Sequence, residues 1–253
     1  MTELNHTQVQ KSFNILLIGD DCKDIYQYGT IDRLSPEAPV PVFVPTRTEE
    51  RDGMAGNVAN NLEALGCHVN YLHGNTSTKT RIIDARSKQQ IVRIDDDIIS
   101  APLVFETEIP QVYDAVVVSD YNKGTVSYEL IEELIALSIP IFIDTKKTDL
   151  ERFQGAWVKI NELEYSKIKS ECTGLIVTRG AKGASVMHHG IECPAPSVEV
   201  SDVTGAGDTF LSALVVEYLN TNSIEQAVKF AIAASAVTVQ HIGVYAPRLE
   251  EIK

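Results

Sequence analysis

The sequence predicts an α/β protein with a mostly parallel central sheet and helices on both of its faces. Three observations lead there: short β-branched runs that end on glycine or a polar residue, amphipathic stretches of helical length between them, and a regular alternation of the two up to about Gly205. NILLIG (14–19), AVVVSD (115–120), PIFID (140–144) and GLIVT (174–178) are continuous apolar runs, as strands buried on both faces require. A helix over 54–66 closes at Gly66, and one over 126–138 carries Leu130, Ile131, Leu134 and Ile135 at helical spacing before Pro140. After Gly205 the pattern turns helical, over 207–219 and 223–240, both rich in Ala and Val.

Two stretches fall outside this plan. Residues 26–44 hold Pro36, Pro39 and Pro41 beside alternating apolar residues, and TRIIDARSKQQIVRID (80–95) has a polar centre; both are expected to supply strands of a small second sheet. No internal repeat or composition break marks a linker, so residues 1–253 are expected to form one domain.

Composition narrows the function. With 22 Lys and Arg against 35 Asp and Glu, the chain carries a net charge of -13, a field that repels nucleic acid; any anionic substrate must be held by local donors. The opening MTELNHTQVQKSF lacks a basic start followed by an apolar core, and no apolar run reaches the roughly 18 to 20 residues of a membrane span, so a cytoplasmic protein is expected. Cys22, Cys67, Cys172 and Cys193 form no CxxC pair, which argues against a zinc knuckle or a disulfide framework. P-loop, GxGxxG, HExxH and GxSxG motifs are absent.

The chemistry is concentrated in DVTGAGDTF (202–210), two glycines and two acids directly before an apolar helix. Unpaired N–H groups and the helix dipole make such a turn a seat for phosphate, and Asp208 stands where a carboxylate can take a proton from an attacking hydroxyl. An ordinary helix cap accounts for the bare turn equally well.

This turn resembles the C-terminal signature of the ribokinase-like (PfkB-type) carbohydrate kinases. Asp24, RLSPEAPVPV (33–42), Asn57, SDYNKG (119–124), Asp144, Lys146 and Thr178-Arg179 are similar, in order, to the heptose 7-phosphate kinase branch of that family. The resemblance implies a ribokinase-like fold with a small β lid near 26–44 and 80–95, and an ATP- and Mg²⁺-dependent kinase that phosphorylates D-glycero-β-D-manno-heptose 7-phosphate at its anomeric hydroxyl. It implies Asp208 as catalytic base, with the backbone of Gly205, Ala206 and Gly207 holding the transferred phosphoryl group. Asp24, Asn57 and Gly53 are implied on the sugar side. Lys146, Asn161, Glu164, Thr178, Arg179 and Gly180 are implied on the nucleotide side, with Asn161 and Glu164 arranging the metal through water. The lid is implied as a surface for homodimers.

Four departures accompany the resemblance. Met54 interrupts the glycine pair expected before Asn57, Ile232 replaces an asparagine expected near adenine, and Thr145 replaces a proline. After VNYLHG (69–74) only Asn75 to Thr78 precede the second lid stretch, so the fold is expected to be one strand–helix unit short. A kinase for another sugar, or a non-catalytic sugar-phosphate or nucleotide binder on the same fold, stands as the alternative.

Overall fold

The computed structural model describes residues 11–105, 109 and 112–252; the sequence reading of the first ten residues lies outside them. Among the described residues, ten strands and five α-helices follow in chain order. They are β1 (Asn14–Leu34), β2 (Pro41–Met54), α1 (Ala55–Ala64), β3 (His68–Asp84), β4 (Gln90–Asp96), β5 (Ala115–Asp120), α2 (Tyr128–Ile135), β6 (Ile141–Thr145), β7 (Trp157–Asn161), α3 (Glu162–Tyr165), β8 (Leu175–Thr178), β9 (Ala184–Val186), β10 (Ile191–Cys193), α4 (Ala206–Thr221) and α5 (Ile224–Thr238). All four predicted core strands and the four longer helices are present within a few residues of their expected bounds, except that β1, expected over 14–19, runs on to Leu34.

The sheet runs β4-β3-β1-β5-β6-β7-β8-β9-β10, parallel from β3 to β8 and antiparallel at both ends, with β2 paired to the outer half of β1. Successive residues of the apolar β1 run enter opposite cores. Ile15 and Leu17 pack with Val58, Leu62, Leu211 and Leu214 under α1, α4 and α5. Leu16 and Ile18 pack with Leu130, Ile131 and Leu134 of α2. The continuous apolar runs of the sequence are thus explained by burial on both faces.

The lid is present, though as an extension of the central sheet rather than a separate one. β1 continues past an irregularity at Gly19 to Asp21 and β3 continues past Gly74, the two remaining paired in parallel to Gly29 and Asp84, with β2 and β4 flanking them antiparallel. The short Asn75 to Thr78 connection lies inside β3, so where the sequence predicts a missing unit the strand passes directly from core to lid.

β7, β9 and β10 were not predicted. Lys159 breaks the apolar run of β7, and β9 and β10 are three residues each. Among the described residues, no helix is long and apolar enough to cross a membrane.

Candidate active site

The middle of β1, around Asp20 to Asp24, the carboxyl ends of β5, β6 and β7, and the first turn of α4 meet in one cleft. Gly205 precedes α4 with φ of 80°, a left-handed conformation that glycine adopts without strain. It turns the chain so that Asp208, in the first helical turn, points back into the cleft, where it is 7% exposed. Asn57 Nδ2, from the first turn of α1, donates to Asp208 Oδ2 over 2.7 Å, and the Tyr121 hydroxyl donates to Oδ1 over 3.2 Å. Burial pushes the Asp208 carboxyl up to about 6, and Asp144 adds to the rise, while Asn57, Lys159 and Tyr121 oppose it. A carboxylate so tuned is a better proton acceptor than a solvated aspartate. The backbone beside it is less open than the sequence implies, because the Ala206 N–H turns back to Val203 O at 3.3 Å.

Buried acids fix the surrounding loops. Asp20 accepts from the N–H groups of Tyr121, Lys123 and Thr125, which holds Tyr121 over the cleft. Burial and the neighbouring Asp208 raise the Tyr121 phenol well above its ordinary value, so it stays a neutral donor. Asp120 accepts from the Thr145 hydroxyl at 2.6 Å and pairs with Lys147 at 3.0 Å. Thr145, in place of a proline, therefore ties β6 to β5.

Where β1 enters the lid, Asp24 is buried and its Oδ1 accepts from Arg81 at 2.5 Å. Gly53 is required beside it, since a Cβ there would lie 2.6 Å from Asp24 Oδ2. Met54 takes φ of 50° and ψ of -129° while 5% exposed, so a side chain has been fitted onto a backbone suited to glycine. Arg51 and Arg81 both stand over the Tyr26 ring, 5.2 and 5.1 Å from its centre.

Beside the first turn of α4, a cavity of about 400 Å³ opens against α4 and α5, its wall including Thr178, Gly180, Ala206, Gly207, Phe210 and Ile232. Lys146 pairs with Glu164, and its ammonium lies 5.1 Å from the Tyr121 ring centre. Asn161 and Glu164 cap each other across the start of α3, Asn161 N donating to Glu164 Oε2 at 2.8 Å and Glu164 N to Asn161 Oδ1 at 2.9 Å. Arg179 is turned toward Ser185 and Glu192, away from the cavity wall.

Among the described residues, no group of three or more His, Cys, Asp or Glu side chains could cage a metal ion. Both Glu164 oxygens are engaged, whereas Asp144 Oδ1 is buried without a hydrogen-bond partner. This set fits a Mg²⁺ that arrives on phosphates and keeps most of its water.

Tyr121, Lys147, Asp144's pairing and Lys159 are the parts of this cleft that sequence reasoning did not single out. For Lys159 the available signal was a charge in the middle of a short, otherwise apolar run, WVKIN (157–161).

The fold is ribokinase-like. The structure of Arabidopsis thaliana ribokinase, complexed with ribose and ATP, superposes with a TM-score of 0.69 over 96% of this chain and 98% of that one, at 15% identity. The sequence profile of the pfkB family carbohydrate kinases matches residues 150–252. That match covers 103 of the 253 residues, the C-terminal part of the chain. It is 35% identical to the bifunctional protein HldE of Helicobacter pylori (strain Shi470) over 94% of this chain and 65% of that protein, and 31% identical to HldE of Sodalis glossinidius over 90% and 60%. The chain thus spans less than two thirds of the length of these relatives. Both alignments, over 303 and 290 residues, are longer than the 253-residue chain, so the relatives carry segments with no counterpart here.

Proposed function

We propose that the protein is an ATP-dependent kinase of a phosphorylated heptose, transferring the γ-phosphoryl group to the anomeric hydroxyl of D-glycero-β-D-manno-heptose 7-phosphate. The observation that carries the reading is the Asp208 carboxylate, tuned by burial and held by Asn57 and Tyr121 at the mouth of a glycine turn. The sugar oxygen forms a bond to phosphorus as the bond to the β–γ bridging oxygen breaks. The electron pair leaves with ADP, and the hydroxyl proton passes to Asp208. Asp24, Gly53 and Asn57 face the sugar in this reading, and the 400 Å³ cavity takes the adenosine, with Thr178 and Gly180 at its edge and the Gly205 to Gly207 turn beneath the phosphates, while Arg179 stays with Ser185 and Glu192. Mg²⁺ would offset phosphate charge, with Lys146, Asn161, Glu164 and the orphan oxygen of Asp144 facing its hydration shell.

Two observations favour a phosphorylated sugar. Of the arginines in and beside the lid, Arg33, Arg86 and Arg93 are exposed, while Arg51 and Arg81 are partly buried together over Tyr26. A pair of guanidinium groups on one ring is suited to a phosphate on the far end of the sugar. The HldE relatives support the heptose. The exposed Val44, Val92 and Ile94 of the lid support a second copy of the chain as its cover.

The test is ATP consumption coupled to a panel of sugars and sugar phosphates. Turnover confined to heptose 7-phosphate is expected. Faster turnover with another sugar would replace the substrate, and no sugar-dependent consumption would leave a non-catalytic binder.

A further inference from the structure

Lys159 is 4% exposed at the centre of β7, and its Nζ donates to Asp144 Oδ2 over 2.6 Å. An amine in so dry a place is costly unless its charge is met, and Asp144 on the adjacent strand meets it. Its position is the unusual part. A Cβ on Gly207 would lie 2.9 Å from Lys159 Nζ and within 4 Å of no other atom beyond its chain neighbours and its own helix's backbone. Gly207 also lines the 400 Å³ cavity. The open side of this glycine is therefore a gap with an ammonium group against it.

The first turn of α4 is the positive end of the helix, where a cation is disfavoured. Here Asp144 and the Asp208 carboxylate offset that cost, and an anion entering the gap would add to the compensation. An ammonium has three donors, and one hydrogen bond of Nζ, to Asp144, is formed among the described residues. Asp144, in turn, keeps its Oδ1 without a partner. The pair is built as a fixed arm: one carboxylate oxygen holds the amine, and the amine faces the turn.

We propose that Lys159 is a phosphoryl-binding residue of this chain, donating from Nζ to the terminal phosphate oxygens seated on the Gly205 to Gly207 turn, with Asp144 holding it in place. The inference rests on the nucleotide placement of the preceding section and adds a cation to it. A donor that reaches only the terminal phosphate separates ATP from ADP. It also neutralises the charge that accumulates on the transferred group, where a preorganised cation in a water-poor site is most effective.

The test is calorimetric titration of the full chain with ATP and with ADP, each with excess Mg²⁺, alongside sugar-dependent turnover. Lys159→Met should weaken ATP by about tenfold or more, the loss expected for a charged hydrogen bond, and leave ADP within about twofold. Because this variant leaves Asp144 unpaired, the double variant Asp144→Asn/Lys159→Met is measured in parallel. It should show the same selective loss whether or not the single variant folds. Unchanged ATP binding in the folded variants, or equal weakening of ATP and ADP, overturns the proposal. If the wild type consumes no ATP with any sugar while Lys159→Met still erases the preference for ATP, the kinase reading fails and the assignment of Lys159 stands.

Discussion

Asn57 and Asp208 lie 151 residues apart in the chain and share a hydrogen bond of 2.7 Å between the first turns of α1 and α4. The contact is the outer end of a polar seam. Deeper in, the Thr209 hydroxyl donates to Asn61 Oδ1 at 2.8 Å, and Ser212 donates to Val58 O at 3.2 Å. The two helices are thereby fixed in register, so a group bound by Asn57 is held at a set distance from the Asp208 carboxylate.

Removing the base separates activity from stability. Asp208→Asn should lower turnover by at least about 10², the usual loss with a general base. The folded carboxyl titrates near 6, above its ordinary value of 3.8, so the stability it contributes is present at low pH and lost as pH rises through 6. The variant should therefore gain stability relative to wild type between pH 4 and pH 8, by up to about 3 kcal/mol, read by denaturant melts at both values. A constant difference across that range would contradict a raised carboxyl.

The same titration shapes the rate. Turnover should fall as pH drops below about 6, where Asp208 becomes protonated. The Tyr121 hydroxyl favours the charged form, so Tyr121→Phe should move this acid limb upward while ATP affinity is unchanged. A limb that stays in place would remove Tyr121 from the control of Asp208.

Met54 offers a test of backbone strain. Alanine is ordinarily favoured over glycine where φ is negative, but at φ of 50° and ψ of -129° the order should invert. Met54→Gly is expected to be more stable than Met54→Ala by about 1 kcal/mol or more, although both lose the buried thioether. Equal stabilities would mean that the backbone relaxes when the side chain is cut back.

Arg81 should discriminate among sugars. Arg81→Gln is expected to raise KM for heptose 7-phosphate by about tenfold or more and to leave KM for ATP within about twofold. Loss of equal size for an unphosphorylated sugar would show that Arg81 serves only to hold Asp24.

Closure of the lid should appear in hydrogen exchange. Water competes with the sugar for the phosphoryl group, so the cover must tighten when the acceptor binds. Amides in 26–44 and 80–95 are expected to slow with sugar phosphate. Exchange that stays unchanged with any sugar phosphate would remove these strands from closure.

The sequence was most informative where apolar pattern and local chemistry coincide. The β1, β5, β6 and β8 runs were readable because burial on both faces leaves an unbroken apolar string. The DVTGAGD turn was readable because a left-handed glycine and a helix start leave a mark within a few residues. Asn57 and Asp24 were reached through resemblance alone, since their partners Asp208 and Arg81 lie 151 and 57 positions away. Lys159 concealed β7 because a buried ion pair looks, in one dimension, like a solvated charge. The continuity of β1 and β3 into the lid was hidden because lid strands are only half buried, and their alternation imitates a separate sheet.

β1 is one strand of 21 residues and β3 one of 17, each clamped at its inner end by neighbouring strands and free at its outer end. In mechanical terms the pair is a cantilever. Under a load at its tip, the deflection of such a beam grows far faster than in proportion to its length, so compliance is concentrated toward Leu34, and the root barely moves. Asp24 sits close to that root with Arg81 a little beyond it, β4 runs alongside them, and the turn after Leu34 lies furthest out. Shape selection among sugars therefore falls to the stiff section of the beam, while the give needed for entry and release is drawn from its tip.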